Sequence, residues 1–229
     1  MNVGNVKEFT FSININAKLA WNSGTSRFNK IVDSYCFTYA QERGEEFRNT
    51  VLGYYDALGG LDERYYKDFC NKYDFNYHKY DNLSFPVLNI NDGILCFADR
   101  CLSFEEKRKL YSENFKNTVE IGYKKMQKVA EDFYVLSNEV DKEYKEALIQ
   151  HWYYQAEYWV NLFGFAIEIC SVIEEYNSGK TDNIANHYFE ASKFVKNILD
   201  LRKELFVGEW ATTRWWGRRL RSRSQLRRR

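Results

Sequence analysis

Three histidines, five cysteines and several adjacent carboxylates are the residues of this 229-residue chain that could carry chemistry. His78, His151 and His187 have no partner at metal-ligand spacing. His151 precedes Trp152 in an apolar stretch, the usual setting of a structural histidine. Cys36, Cys70, Cys96, Cys101 and Cys170 form an odd, scattered set that does not read as a disulfide framework. Cys96-x4-Cys101 is too loose for a zinc knuckle and lacks a second pair, so buried free thiols are expected. Glycoside hydrolysis needs two carboxylates, held about 5–5.5 Å apart for retention or about 6.5–9.5 Å for inversion. Glu45-Glu46, Glu105-Glu106 and Glu174-Glu175 are neighbours on expected helices. Adjacent helical residues point about 100° apart, so these pairs read as solvated faces. Metalloprotease, nucleophile-elbow, dinucleotide and phosphate-loop motifs are absent. Gly59-Gly60 follows a helical pattern, which suits a helix end better than a phosphate loop. The reading therefore assigns no catalytic, cofactor-binding or metal residue and expects no cofactor. One feature remains: the run Trp152-Tyr153-Tyr154 with Tyr158-Trp159, which reads either as core or as a sugar-stacking surface.

The elements that must position these residues read as helices. Residues 6–21 fit both a strand, through Phe9, Phe11, Ile13 and Ile15, and a helix, through Phe9, Ile13, Ala17 and Trp21. Helices are expected over about 27–42, capped by Ser26 and interrupted at Gly44, over 45–58, and over 61–75. Residues 76–102, with the single proline Pro86, read as an irregular connection. Ser103-Phe-Glu-Glu106 is a capping box that opens a long apolar-periodic stretch to about 138. Two more follow, over about 141–176 and 182–205, separated by Asn177-Ser-Gly179. Helices of about 35 residues span roughly 50 Å at 1.5 Å per residue. Short connections force antiparallel neighbours, so the predicted fold is all-α, an antiparallel helical bundle with long C-terminal helices. Trp152, Trp159, Phe163 and Phe194 are expected in one core. The division is thus 1–75 short helices, 76–102 connection, 103–209 long-helix bundle and 210–229 a basic tail.

Composition agrees. Hydrophobic residues make up 45%, charged residues 28% and aromatics 18%, enough for a substantial core. With one proline and 12 glycines, collagen-like, linker-like and many-turned β-sandwich classes are excluded. No run of about 18 apolar residues stands out, so no membrane span is expected. The start, MNVGNVKEF, lacks the basic and apolar regions of a secretory leader. Net charge is +1, but residues 210–229 hold eight arginines and no acid, which leaves −7 on the rest. The body is rich in residues with AT-rich codons, the tail in arginine, tryptophan and glycine. The tail therefore reads as another reading frame or a cloning addition, or else as a basic arm for nucleic acid or anionic lipid. Few apolar residues follow Trp216, so disorder is expected from about residue 217. Nucleic acid binding is unlikely for the acidic body except through that tail.

The N-terminal quarter carries a resemblance. Glu8-Phe9-Thr-Phe-Ser-Ile-Asn-Ile-Asn-Ala17-Lys18-Leu19-Ala-Trp21-Asn22 is followed by Phe28-Asn-Lys-Ile31-Val32-Asp33-Ser-Tyr35-Cys, and Gly44-Glu-Glu-Phe47 leads into a helix. This resembles the end of the barrel and the start of the all-helical C-terminal region in bacterial glycosidases related to α-glucuronidases and β-hexosaminidases. Asn22-Ser23 stands where those proteins have Asp-Pro or Asn-Pro, and Ser34 where they have an acid before the tyrosine. Gly208-Glu-Trp210 also resembles their run toward a tryptophan-tyrosine-arginine ending, and the pattern dissolves beyond it. The resemblance covers about 50 residues. It implies a non-catalytic helical domain of a glycoside hydrolase-like protein. Its partner would be a catalytic barrel upstream, outside this chain, and carbohydrate a possible ligand. An independent helical interaction protein is the alternative reading.

Overall fold

A computed structural model describes residues 11, 14, 17, 18, 28–59, 94, 97, 98, 103–111 and 113–205. The described residues form seven helices and no strand: α1 Phe28–Ala40, α2 Gly44–Gly59, α3 Phe104–Leu110, α4 Glu113–Glu139, α5 Lys142–Leu148, α6 Tyr154–Asn177 and α7 Ile184–Leu205. A short 3₁₀ segment, Gln41–Arg43, joins α1 to α2, and a π turn, Ile149–Tyr153, joins α5 to α6. The fold is all-α, and the helices pack in a row: α1 on α2, α2 on α4, α4 on α6 and α6 on α7.

Contacts along each pair run in opposite order, so every neighbour is antiparallel. Asp33 meets Arg48 at 2.7 Å between α1 and α2. Arg43 meets Glu139 at 2.8 Å, and Asp56 meets Lys125 at 2.6 Å, between α2 and α4. Lys116 pairs with Glu174 and Tyr134 packs on Tyr153 between α4 and α6. Glu168 pairs with His187 and Tyr154 with Glu204 between α6 and α7. The core follows the 3 and 4 spacing of the sequence: Phe115, Val119, Met126, Val129, Phe133 and Leu136 on α4 are all buried. α6 is buried on several sides, through Val160, Leu162, Phe163, Ala166, Ile169, Cys170 and Ile173, because it lies between α4 and α7.

Several local expectations are corrected. The stretch 103–138 is not one helix: Tyr111 adopts an extended conformation (φ −67°, ψ 135°) and a new helix begins at Glu113. The cause is tertiary. The Tyr111 hydroxyl donates to Glu174 Oε1 at 2.5 Å, while Phe104 packs edge-on against Tyr176, which folds α3 over the end of α6. The predicted capping box at its start is complete, with Ser103 accepting from the Glu106 amide at 3.2 Å and Glu106 reaching back to the Ser103 amide at 2.7 Å.

Gly44 does not interrupt the chain. It is helical (φ −57°, ψ −34°), and the reversal is made by Gln41 in the left-handed region (φ 48°). Gly44 is needed for closeness instead: an added Cβ would stand 2.4 Å from the Phe37 ring. The stretch 141–176 is helical but contains the π turn. Asp141 stands at the N-cap position of α5, but its side chain makes no capping bond and instead accepts from Gln41 at 2.8 Å. α6 ends as the sequence predicts, at Gly179 with φ 72°.

Phe11, Asn14, Ala17 and Lys18 are helical, which settles the strand-or-helix ambiguity at those positions. Within the stretch read as an irregular connection, Ile94, Phe97 and Ala98 are helical, and Ile94 and Phe97 are fully buried. Phe97 stacks on Phe115 at 4.9 Å. The predicted Ser26 cap, the helix over 61–75 and the tail 210–229 lie outside the described residues. The helical segment Lys142–Asn177 also revises the membrane expectation. By length and composition it is apolar enough to cross a bilayer, with mean hydropathy 1.3 over 18 residues. Here 56% of that window is buried against the neighbouring helices, so it serves as the core helix of the bundle.

Candidate functional site

The π turn is the irregular centre of the molecule. An i→i+5 turn inserts one residue into the helical repeat, and such turns often mark functional positions. Here it drives Trp152, which is 4% exposed, into a hub of rings supplied by three other helices and Phe11. Trp152 meets Phe47 edge-on at 5.7 Å, Phe133 at 5.3 Å, Tyr54 at 5.8 Å and Phe11 at 5.4 Å. Phe11 also packs edge-on against Tyr35 at 4.9 Å. Edge-to-face pairs of this kind add about 0.5–1.5 kcal/mol each beyond burial.

Polar atoms in the hub are sealed from water. Neither the Tyr35 hydroxyl nor the Trp152 indole N–H completes a hydrogen bond of good geometry, although the indole lies close enough to favour the Tyr35 anion slightly. Burial dominates and, with Tyr39 adding to it, holds the Tyr35 hydroxyl far above the usual phenol range. Burial likewise pushes the Cys36 thiol up to about 12, against the opposing Arg48 charge. A thiol of that kind is a poor nucleophile, and the buried Cys170 is shifted upward for the same reason.

A second polar group lies at the far end of α6. Glu174 accepts from Tyr111 and from Lys116, so its carboxylate is neutralised rather than solvated, contrary to expectation. Burial, then the bond to Glu174, raises the Tyr111 hydroxyl. Glu45-Glu46 and Glu105-Glu106 are exposed, as expected of solvated faces. Glu46 lies 3.4 Å from Arg43 and Glu105 2.7 Å from Arg108, while Glu106 completes the cap. His187 meets Glu168 through Nδ1 at 2.7 Å, and His151 is half-buried in the π turn. His78, Cys70, Cys96 and Cys101 lie outside the described residues. Among the described residues no cluster of three or more metal-ligating side chains forms.

The aromatic run divides by depth. Trp152 and Phe163 are core, as predicted, but Trp159 and Phe194 are only half-buried. Phe194 lies on Gly164 at the α6–α7 contact, while the Trp159 ring meets Tyr158 and Phe163 of its own helix, so helical spacing alone overstated their burial. Tyr153, Tyr154 and Tyr158 are also half-buried. Tyr153 lies 5.4 Å from the exposed ring of Tyr134 and 5.6 Å from Tyr154, whose hydroxyl donates to Glu204 at 3.0 Å. Glu157 stands in the same strip, its carboxyl raised by burial, and its charge in turn raises Tyr123 and Tyr153, after burial itself. Sequence spacing could not find this strip, because Tyr134 and Glu204 join it from other helices.

The geometry defines an all-helical bundle in which ion pairs join α1 to α2, α2 to α4, α4 to α6 and α6 to α7. Comparison with protein-family models, with curated proteins and with solved structures finds no match to this chain.

Proposed function

We propose that this chain is a non-catalytic helical domain that flanks a catalytic barrel in a glycoside hydrolase-like protein. The reading rests on the resemblance of residues 8–47, and the observation that carries it is the seating of Phe11. Its ring is held between Tyr35, Tyr55 and Trp152, at 4.9, 5.9 and 5.4 Å. A domain preceding Phe11 would therefore be joined to the bundle at its aromatic hub. The described carboxylates support the non-catalytic half of the reading. Glu46, Glu105 and Glu174 are engaged in ion pairs and Glu106 in a helix cap, rather than in two-sided attack on one bond.

The test is genomic and enzymatic together. An open reading frame for a barrel, in frame upstream of Met1, is the expected finding, and the 229-residue chain alone should turn over no nitrophenyl glycoside. An in-frame stop codon shortly before Met1 would overturn the flanking role. Robust turnover abolished by a single Glu→Gln change would overturn the non-catalytic role.

A second reading, a freestanding helical interaction protein, is favoured by one feature. α7 leaves Tyr188, Val195 and Leu199 exposed along one flank, at 48%, 41% and 51%.

A further inference from the structure

We infer that Tyr134, Tyr153 and Tyr154, edged by Glu157 and Glu204, form a surface subsite for a neutral oligosaccharide. The inference goes beyond the flanking role and does not depend on it.

Three tyrosine rings adjoin one another across three elements, α4, the π turn and the start of α6, with Tyr153 touching both others. Successive centroids are 5.4 and 5.6 Å apart, and the rings tilt by 49° and 40°. That interval is comparable with one pyranose unit, so neighbouring sugar rings can each lie over a phenol. Tyr134 is 54% exposed, and no apolar neighbour accounts for so large a ring facing water. The π turn matters here, because it brings the consecutive Tyr153 and Tyr154 to one side while Trp152 is driven inward.

Sugars present two kinds of surface. Their C–H faces pack on aromatic rings, and their hydroxyl edges need acceptors and donors. Both are present. The Tyr154 hydroxyl donates to Glu204 Oε2, which leaves Glu204 Oε1 to accept from a ligand hydroxyl. The Tyr153 hydroxyl makes no hydrogen bond among the described residues and can donate. Glu157 offers a further carboxylate that is half-buried beside Tyr123 and Tyr153.

Charge selects among stacking ligands. Bases of single-stranded nucleic acid also stack on tyrosines, but their phosphates require a basic track. Tyr153 and Tyr154 feel Glu157 and Glu204 instead, and both hydroxyls are raised in part by that negative field. The carboxylate held at the Tyr154 hydroxyl is an acceptor, which suits a hydroxyl-bearing neutral sugar chain better than a phosphate or a uronate.

The test is affinity electrophoresis of the full chain in native gels containing arabinoxylan, mixed-linkage β-glucan or galactomannan. Retardation by at least one polymer is expected, with the apparent affinity falling at least tenfold in Tyr153→Ala/Tyr154→Ala. Leu199→Ala, on α7, should bind as the parent does. If the double variant loses its helical circular dichroism, Tyr134→Ala replaces it, since that ring is mostly in water, and it should weaken binding. No retardation in any gel, or undiminished retardation of a folded variant, would each overturn the proposal.

Discussion

The hub around Trp152 and the outer helix α7 are built from the same residue types in opposite circumstances. In the hub, rings from α1, α2, α4 and the π turn enclose one another, and Phe47, Phe133 and Trp152 are almost completely buried. α7 has a comparable share of apolar residues but packs chiefly on α6. Its inner stripe of Ala191, Phe194 and Ile198 is covered, and Phe194 lies directly on Gly164. Its flank and back are not: Tyr188, Phe189, Val195 and Leu199 all face water. The difference shows that a residue's contribution here depends on how many elements surround it, not on its place in a periodic pattern. Stability should accordingly be high and cooperative in the hub and lower in α7.

The strongest way to break this contrast is to empty the hub. Phe47→Ala, or Trp152→Ala, removes a ring from a fully packed site and should cost about 3–5 kcal/mol in urea denaturation. A loss below about 1 kcal/mol would show that the hub is loosely packed.

Alkaline titration probes the same contrast without mutation. Cys36 rises from 9.0 to about 12 because burial favours the neutral thiol, and Tyr35 rises for the same reason. The unfolded chain releases these protons first, so it binds fewer protons than the native state across this window. Stability is complete below the unfolded pKa and falls as pH rises toward the folded value, by about 1.4 kcal/mol per pH unit for each fully shifted group. Melts from pH 9 to 11 should show this decline, and Cys36→Ala should make it shallower. An unchanged slope in Cys36→Ala would place that thiol in contact with water.

Phe194→Ala tests the other side. The ring is half-buried, so a loss of about 1–2 kcal/mol is expected, below the range for a closed core site. Hydrogen exchange should quicken along α7 while the amides around Phe47 and Phe133 stay protected. Uniform quickening would show that α7 and the hub unfold as one unit.

The smallest effect belongs to the exposed flank. Leu199→Ser should change stability by no more than about 0.5 kcal/mol, since half of that side chain is already in water. A cost above about 1 kcal/mol at high protein concentration, and absent on dilution, would show that the flank is covered by association.

Local signals made much of this protein readable. Ser103 and Glu106 announce their capping box because both partners lie within one turn, and Gly179 announces the end of α6 because only its own backbone is involved. Apolar residues at 3 and 4 spacing specified the helical class and the buried face of α4, since a helix with one apolar stripe must cover it. What failed needed a partner from elsewhere. The chain leaves the helix at Tyr111 because Glu174, 63 residues away, captures its hydroxyl. The turn after α1 is made by Gln41, a non-glycine residue in the left-handed region, which residue-type rules do not favour. The tyrosine strip was legible only in part: Tyr153 and Tyr154 stand out as an aromatic run, whereas Tyr134 and Glu204 join it from other helices.

The amino-acid sequence by itself therefore determined the helical class, the capping box at Ser103, the end of α6 and the antiparallel order that short connections impose, because those depend on neighbours within a few residues. Only the tertiary structure decided which rings became core and which became surface. Trp152 and Trp159 lie two turns apart in one helical segment, yet the first is enclosed by four elements and the second is only half-buried. Depth is set by how many helices converge on a point in space, and that is a property of the packed bundle rather than of any local stretch of chain.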